Sequence, residues 1–212
     1  MRILRLIPYF ADSFGGPVQV VKMLTRELRA DGHDTIFYTT NLADKAHHST
    51  QFQGSEFTVK AFPVRWSLGD FFYTPGMKKA LIEEEYDIVH AHCFRNYQSE
   101  IGAWIARKTH KPLVFTAHGT LVKLHGYREL AAKGLYDFVT HARVLRQSAR
   151  VVALSSTEAG QYRSFGVAQH NVVTIYHGID SGLFRPLDNQ QDAIREELGL
   201  GSGEIIVYAG RI

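Results

Sequence analysis

Apolar residues along the chain form short runs that alternate with helical stripes. The first run, from Ile3 to Ile7, is followed by an open loop and then by apolar positions at spacings of three and four, namely Val18, Val21, Leu24 and Leu28. A short apolar run is typical of a buried strand, and the later spacing is typical of a helix with one apolar face. Pro17 suits the first helical turn because its missing N–H would have no intrahelical partner there. Residues 1–31 therefore predict a strand, a loop and a helix.

Six further runs follow the first, and helical segments separate most of them. The runs are rich in β-branched and aromatic residues and cover 34–40, 57–64, 88–92, 113–116, 150–154 and 171–176. Apolar spacing predicts helices over 75–85 and 97–109, over most of 120–148, and after Ser155. Several runs are apolar on both faces, as in a parallel sheet that helices cover on both sides. The pattern predicts an α/β fold, a Rossmann-like doubly wound parallel sheet of about seven strands.

Three stretches interrupt this alternation. Residues 41–56 are polar and predict a loop, and residues 66–73 concentrate aromatic side chains in what we interpret as a short linker. From Pro186 the sequence pattern changes. Residues 186–203 have the composition of a linker with a short helix, and Glu204 begins a new apolar run. A strand without its sheet leaves backbone groups unpaired. We therefore expect a Rossmann-like domain over 1–185, a linker over 186–203, and the first strand of a truncated second domain over 204–212.

Composition narrows the class of protein. A chain of 212 residues with 45% hydrophobic residues can bury a sizeable core. The net charge of +3, with charges of both signs interspersed, is too mild to indicate nucleic acid as a partner. Cys93 is the single cysteine, so no intrachain disulfide can form and a reducing compartment is favoured. Because neither a signal peptide nor a membrane-length apolar run is present, we expect a cytoplasmic protein, with peripheral contact at the membrane inner face left open.

Chemistry-bearing residues follow the predicted strands, where open parallel sheets bind their ligands. Gly15 and Gly16 directly precede a helix N-terminus, where free N–H groups favour an anion and glycine allows close approach to the main chain. The dinucleotide fingerprint G-x-G-x-x-G is absent, and the second strand ends without the acidic residue that holds a ribose. The loop therefore predicts a phosphate- or sugar-facing turn, and a nicotinamide enzyme is not expected.

Three histidines lie at the ends of central strands. His118 comes directly after a buried strand and before a glycine, which marks it as the strongest candidate for catalysis. His90 and His92 alternate and so share one face of their strand. Their spacing could hold a metal, although local spacing fixes no third ligand. The alternatives are hydrogen-bonded structural histidines or, with His118, a metal-dependent hydrolase.

Ordered motifs give the chain a family resemblance. After the Gly15-Gly16 loop come RADGHDTIFYT, YDIVHAH, FTAHG, RVVALSSTE, IYHGIDSGLFRP and finally VYAGRI. In this order they resemble the amino-terminal half of the GT-B glycosyltransferases of family 4, which transfer sugars from nucleotide donors with retention of configuration. VYAGRI is similar to the first strand of the nucleotide-binding half. The resemblance implies a two-domain enzyme with its reaction in the cleft between the domains.

The resemblance also implies roles for residues at the donor side. The loop glycines, Gly15 and Gly16, would approach the donor diphosphate, and His118 would contact the donor sugar near the reacting centre. Arg211 is similar to an arginine that, with a lysine shortly after it, neutralises the diphosphate leaving group. In the family pattern this lysine and a later pair of glutamates lie beyond Ile212. The nucleotide-sugar is expected as a substrate. Family members usually need no metal, so no cofactor is expected.

The amino-terminal half is the acceptor side in this family. Acceptor contacts are expected from loop residues and from the basic segment after the fifth strand: Tyr9, Asp12, Asn96, Lys123 and Arg128. The acceptor is expected to be a carbohydrate or a lipid-linked molecule. A basic segment suits a lipid-linked or phosphorylated acceptor at an anionic membrane surface, and a solvated helix face is the alternative explanation. The expected activity is transfer of a hexose from a UDP- or GDP-sugar with retention, and this piece alone is expected to be inactive. The alternative is a non-catalytic subunit that binds a carbohydrate or a protein partner.

Overall fold

The computed structural model describes residues 1–42, 56–121, 142–182, 184–185, 191–201 and 203–208. Backbone contacts divide the chain into two compact units, Met1–His177 and Gly178–Ile212. None of the helices in these ranges is both long and apolar enough to cross a membrane.

The first unit contains nine strands and five α-helices within the described ranges. The strands are β1 Arg2–Leu6, β2 Asp34–Thr40, β3 Thr58–Phe62, β4 Trp66–Leu68, β5 Phe71–Tyr73, β6 Ile88–His92, β7 Leu113–Thr116, β8 Arg150–Ala153 and β9 Val172–Thr174. The helices are α1 Gly16–Ala30, α2 Pro75–Glu83, α3 Tyr97–Thr109, α4 Ala142–Gln147 and α5 Ser156–Ser164. In the second unit, α6 spans Gln191–Glu197.

Seven of the strands form one parallel sheet in the order β3-β2-β1-β6-β7-β8-β9. These seven strands are the seven apolar runs of the sequence, so the α/β Rossmann-like prediction is confirmed. The order reverses at β1 and β6, where the chain crosses from one half of the sheet to the other. Such a reversal opens a crevice at the carboxyl edge of the sheet, and the candidate residues after β1, β6 and β7 lie at this edge.

The sheet is packed on both faces. One face contributes Leu4, Leu6 and Val89 to a buried cluster with residues of α2 and α3. The other face contributes Ile7 and Phe37 to a cluster that includes Val18 and Val21 of α1. Leu24, expected in the apolar stripe of α1, is 42% exposed, and Thr25 is buried in its place. The buried stripe therefore steps from Val21 to Thr25, whose hydroxyl donates to the Val21 carbonyl.

Two expectations outside the main sheet need correction. Residues 66–73 are not an irregular linker, because β4 and β5 pair as an antiparallel hairpin. Trp66 stacks on Phe71 and Tyr73 across this hairpin, which explains why the stretch is so aromatic. Residues 204–208, expected to begin a strand, belong to no strand or helix. A strand requires a hydrogen-bonded neighbour, and residues 204–208 are paired with no other strand of the described chain.

Candidate functional site

The loop after β1 folds back on itself before α1 begins. Residues Asp12–Phe14 form one turn of 3-10 helix, and Tyr9 stacks face to face on Phe14 with ring centroids 4.3 Å apart. Gly15 then adopts φ 80° and ψ −141° and caps α1. An L side chain rarely adopts this conformation, so glycine is required by the backbone at this position. The expectation that glycine shapes the loop thus has a conformational basis at Gly15.

Gly16 differs from Gly15, because the fold does not require a glycine at position 16. A Cβ atom built on Gly16 would meet nothing within 4 Å. The open space beside the N-terminus of α1 is therefore wide enough for another group to approach the main chain.

Alanine at each of the two glycines should separate these roles. Gly15→Ala is expected to lower the free energy of unfolding by about 1–3 kcal/mol because of the strained backbone. Gly16→Ala is expected to change it by less than about 0.5 kcal/mol. Urea denaturation of both variants measures the difference, and equal losses at the two positions would contradict this account.

Asp12, an expected acceptor contact, is engaged with α1. Its Oδ1 atom accepts from Gln19 Nε2 and from Lys22 Nζ, each at 2.7 Å. Because the carboxylate is largely exposed, this ion pair contributes little to stability. It keeps the carboxylate at the start of α1, close to the Gly15-Gly16 turn.

The turn after β6 is built around Asn96. Asn96 is buried, and its side chain caps α3 by accepting from Ser99 N and donating to the carbonyls of His92 and Cys93. The backbone of Cys93 adopts φ 65°, a conformation that non-glycine residues rarely hold without such support. Asn96, expected as an acceptor contact, thus has its amide occupied in shaping this turn.

His118 lies in a second supported turn, directly after β7. His118 and Gly119 both adopt positive φ angles, 54° and 77°. Glu158 of α5 holds the turn, because its two carboxylate oxygens accept from Gly119 N at 2.8 Å and from Leu154 N at 2.7 Å. Tyr162, one helical turn later, accepts from Ala117 N and donates to Val152 O. Both side chains are buried, so α5 fixes the backbone on each side of His118.

Four imidazole rings form a row across the carboxyl edge of the sheet. Ring centroids of His90 and His92 are 4.1 Å apart, those of His92 and His118 are 5.2 Å apart, and His177 stacks on His118 at 5.8 Å. Nδ1 of His92 and Nε2 of His118 share a hydrogen bond of 3.0 Å. His90 Nε2 is hydrogen-bonded to the hydroxyl of Thr116. The sequence predicted that His90 and His92 share a face, and the structure adds His118 and His177 to the same row.

Burial keeps these rings neutral. Desolvation is the largest cause that lowers the pKa of His118 to about 3, and the neighbouring His177 and Arg5 contribute to the same shift. The pKa values of His90 and His92 are well below the ordinary range for the same main reason. A neutral imidazole has one donor and one acceptor nitrogen. At neutral pH the row therefore acts through hydrogen bonds, without a positive charge.

The hydrolase alternative required His90, His92 and His118 to converge on one metal. In the part of the chain that the structure describes, no group of three or more His, Cys, Asp or Glu side chains is placed to hold a metal ion. His92 and His118 turn a nitrogen of each ring toward one another instead, which uses a nitrogen that a metal would need. The geometry therefore gives this alternative no support.

Arg5, a buried charge beside the row of imidazole rings, was not predicted from the sequence. Arg5 is only 1% exposed, and its Nε and Nη1 atoms have no hydrogen-bond partner among the described residues. A charged residue within the apolar run ILRLI was the available signal, because arginine is rarely buried without a reason. The roles of Glu158 and Tyr162 in fixing the His118 turn were not foreseen either, since sequence spacing does not show which backbone groups a helix side chain will reach.

Three expected site residues lie outside the described ranges, namely Lys123, Arg128 and Arg211.

Solved structures with this fold include known nucleotide-sugar proteins. Anabaena Alr3699/HepE in complex with UDP-glucose superposes with a TM-score of 0.65 at 20% identity, over 94% of this chain and 50% of HepE. The UDP-GlcNAc 2-epimerase of Methanocaldococcus jannaschii superposes with a TM-score of 0.52 at 13% identity, over 82% of this chain and 45% of the epimerase. The fold is that of the amino-terminal half of a GT-B protein, and since epimerases share it, the fold alone does not decide the reaction.

Sequence comparison decides the family. Residues 14–183 match the family model Glycosyltransferase Family 4. The chain belongs to glycosyltransferase family 4. D-inositol 3-phosphate glycosyltransferase 1 of Catenulispora acidiphila is 35% identical over 151 residues, which are 68% of this chain and 34% of that protein. The chain thus spans about a third of this relative's length and half of HepE's.

Proposed function

We propose that this chain is the acceptor-side domain of a retaining glycosyltransferase that moves a hexose from a UDP- or GDP-sugar to an acceptor. The observation that carries the proposal is the His118-Gly119 turn. Tyr162 and Glu158 of α5 accept from the backbone N–H groups on the two sides of His118 and so hold this turn at the carboxyl edge of the sheet. The chain belongs to glycosyltransferase family 4. That HepE is solved with UDP-glucose favours UDP as the nucleotide of the donor.

The proposed roles follow from the chemistry of the turns. Gly16 leaves room for the donor diphosphate beside the N-terminus of α1, whose dipole favours a negative group. His118, a neutral and rigidly held ring, offers a hydrogen bond to the donor sugar. Arg211 would stabilise the diphosphate as it leaves, because charge develops there in the transition state.

No protein nucleophile is assigned to the reaction. Glu158 lies next to the His118 turn, but it is only 4% exposed and both its oxygens accept backbone N–H groups. Attack by this carboxylate would break the turn that positions His118. We therefore propose front-face transfer, in which a donor phosphate oxygen takes the proton of the acceptor hydroxyl.

The acceptor proposal rests on the relative and on charge. The Catenulispora protein is named for D-inositol 3-phosphate, which favours a phosphorylated polyol or a related lipid-linked acceptor. Tyr9 and Asp12 lie on the loop after β1, where an acceptor hydroxyl could meet their polar atoms. Lys123 and Arg128 are proposed to bind the acceptor phosphate, or anionic headgroups if the protein works at a membrane surface.

The proposal is tested by incubating the polypeptide that the whole reading frame encodes with UDP- and GDP-hexoses and with D-inositol 3-phosphate. We expect a glycosylated product by mass spectrometry, and about 100-fold loss of kcat for His118→Ala, the size expected when one positioned hydrogen bond near the reacting centre is removed. The 212-residue chain alone is expected to give no product. Transfer by this chain alone would contradict the division of roles. Binding of a carbohydrate without any transfer by the whole polypeptide would favour the non-catalytic alternative.

Gly16→Ala also tests the donor side directly. The fold has room for this methyl group, so the variant is expected to unfold like the parent protein. If the diphosphate occupies that room, KM for the nucleotide-sugar should rise several-fold while kcat changes less. An unchanged KM in a normally folded variant would place the diphosphate elsewhere.

A further inference from the structure

The hairpin of β4 and β5 presents an apolar face to solvent. Its strands pair Trp66 with Tyr73 and Leu68 with Phe71, so these four side chains share one face of the hairpin, the hairpin face. The ring centroids of Trp66 and Tyr73 lie 5.3 Å apart with 28° between their planes, and Trp66 is nevertheless 50% exposed. Leu68 is 78% exposed. The indole ring therefore packs against its neighbours and still leaves half of its surface open.

The opposite side of the hairpin anchors it to the first unit. Phe72 is buried in the cluster that includes Phe10 and Phe14 of the loop after β1. Gln98 of α3 is buried too, and it donates to the Phe72 carbonyl at 3.0 Å and to the Thr74 hydroxyl at 3.2 Å. Two other elements thus hold the hairpin in place without covering the hairpin face.

The hairpin lies at the carboxyl edge of the sheet, where the candidate residues lie. It follows the carboxyl end of β3, and Tyr97, the first residue of α3, packs edge-on against Tyr73 with ring centroids 4.9 Å apart. Burial is the largest cause that raises the pKa of Cys93, and the charge of Asp70 in the hairpin turn contributes to the same shift. The Tyr9 hydroxyl lies 3.8 Å from the Cys93 sulfur. Tyr9 and the hairpin turn are therefore both close to the turn after β6.

A fixed, exposed indole ring is suited to a six-membered ring that carries mostly equatorial hydroxyls, such as a hexopyranoside or an inositol. The axial C–H groups of such a ring are made partly positive by the neighbouring oxygens, and the face of an aromatic ring is negative. Tryptophan offers this face at a low cost in conformational entropy. A membrane is a poorer partner, because the exposed Asp70 places a negative charge at the tip of the hairpin, where anionic headgroups would meet it.

We propose that the hairpin face is an acceptor subsite, in which the ring of a hexopyranoside or an inositol stacks on Trp66. That the bound ring belongs to the acceptor rests on the proposed function. The stacking itself does not, because it follows from the exposed indole and its fixed position. Contiguous apolar side chains on a surface typically mark an interaction site, and the hairpin face is such a surface.

Binding is tested first in the 212-residue chain, without any reaction. Trp66 and Trp104 are the two tryptophans of the sequence, so the Trp104→Phe variant has Trp66 as its single indole fluorophore. We expect its emission to change saturably with methyl β-D-glucopyranoside or with myo-inositol at roughly millimolar concentrations, and the compound that binds identifies the class of ring. Sorbitol has the hydroxyls without the ring and should cause no change. No response to either ring compound, or an equal response to sorbitol, would overturn the proposal.

Variants then locate the bound ring. Saturation-transfer NMR measures binding of the ring compound to the parent chain and to variants without the indole. Trp66→Leu keeps an apolar side chain and should weaken binding by about 3- to 10-fold, because a stacking contact is lost. Ile82→Ala, a change at a 54% exposed residue of α2, should leave binding as it is. Unchanged binding by a Trp66→Leu chain that unfolds at the same urea concentration as the parent would overturn the proposal.

Sedimentation with phosphatidylglycerol vesicles tests a membrane as the partner. We expect no binding of the 212-residue chain that depends on Trp66. Vesicle binding that Trp66→Leu abolishes would overturn the proposal in favour of a membrane surface.

These binding measurements need neither donor nor transfer, so a failed transfer assay leaves them unaffected. In the whole polypeptide, Trp66→Leu should raise KM for D-inositol 3-phosphate several-fold, with little change in kcat or in KM for the nucleotide-sugar. Unaltered transfer kinetics in this variant would overturn the acceptor subsite and leave the proposed function intact.

Discussion

Lowering the pH from 7 to 5 is expected to destabilise the chain strongly. His118 has a folded-state pKa of about 3, whereas an unfolded histidine titrates near 6.5. Below that value the unfolded chain binds a proton that the folded chain excludes, so stability is lost as the pH falls toward the folded pKa. His118 alone should cost about 2 kcal/mol between pH 7 and pH 5. His90 and His92 are shifted in the same direction and add to the loss.

Urea denaturation at pH 7, 6 and 5 measures this effect. A loss of this size is a large share of the stability of a typical domain, so the urea concentration at the midpoint of unfolding is expected to fall clearly between pH 7 and pH 5. His170→Gln serves as the control, because it removes an exposed histidine and leaves the buried rings in place. A free energy of unfolding that stays constant from pH 7 to pH 5 would show that the buried rings can be protonated in the folded state.

Replacing Glu158 by alanine is expected to lower the free energy of unfolding by about 3 kcal/mol. The carboxylate accepts from Gly119 N and Leu154 N, and each bond to a charged group contributes about 1.5 kcal/mol or more. The partly buried N–H groups of Leu154 and Gly119 would be left without this acceptor. Because His118 precedes Gly119, the variant should also lose activity in the whole polypeptide through a displaced ring.

Two further variants distinguish the loss of the two hydrogen bonds of Glu158 from the loss of a carboxylate side chain in general. Glu158→Gln keeps one acceptor oxygen and should lose roughly half as much stability as Glu158→Ala. Glu27→Ala removes an exposed carboxylate of α1 and should change stability by less than about 0.5 kcal/mol. A Glu158→Ala variant as stable as the parent chain would show that the two hydrogen bonds do not hold the His118 turn.

The strands were predictable because their signal is local. Each of the seven apolar runs became a strand of the main sheet, and β6, α3 and β7 begin and end at the predicted residues. Helical crossover connections between successive strands imply a parallel sheet, in which the carboxyl ends of the strands lie at one edge. The prediction that Gly15, Gly16 and His118 follow strands of that edge required no side-chain coordinates.

The hairpin of β4 and β5 was missed because its strands are only three residues long, too short to show alternation. The support of the His118 turn was missed for a different reason. Glu158 and Tyr162 reach backbone atoms of other segments, and such contacts depend on how α5 packs against the sheet. The significance of Arg5 likewise depends on strand register, which pairs it with His90.

Retention of configuration is measured by the anomeric configuration of the reaction product. The polypeptide encoded by the whole reading frame would be incubated with a UDP- or GDP-hexose of known configuration, and the one-bond carbon–proton coupling at the anomeric centre of the glycoside product would be read by NMR. We expect a product with the configuration of the donor. An inverted product, or no glycosyl transfer from any UDP- or GDP-hexose, would contradict it.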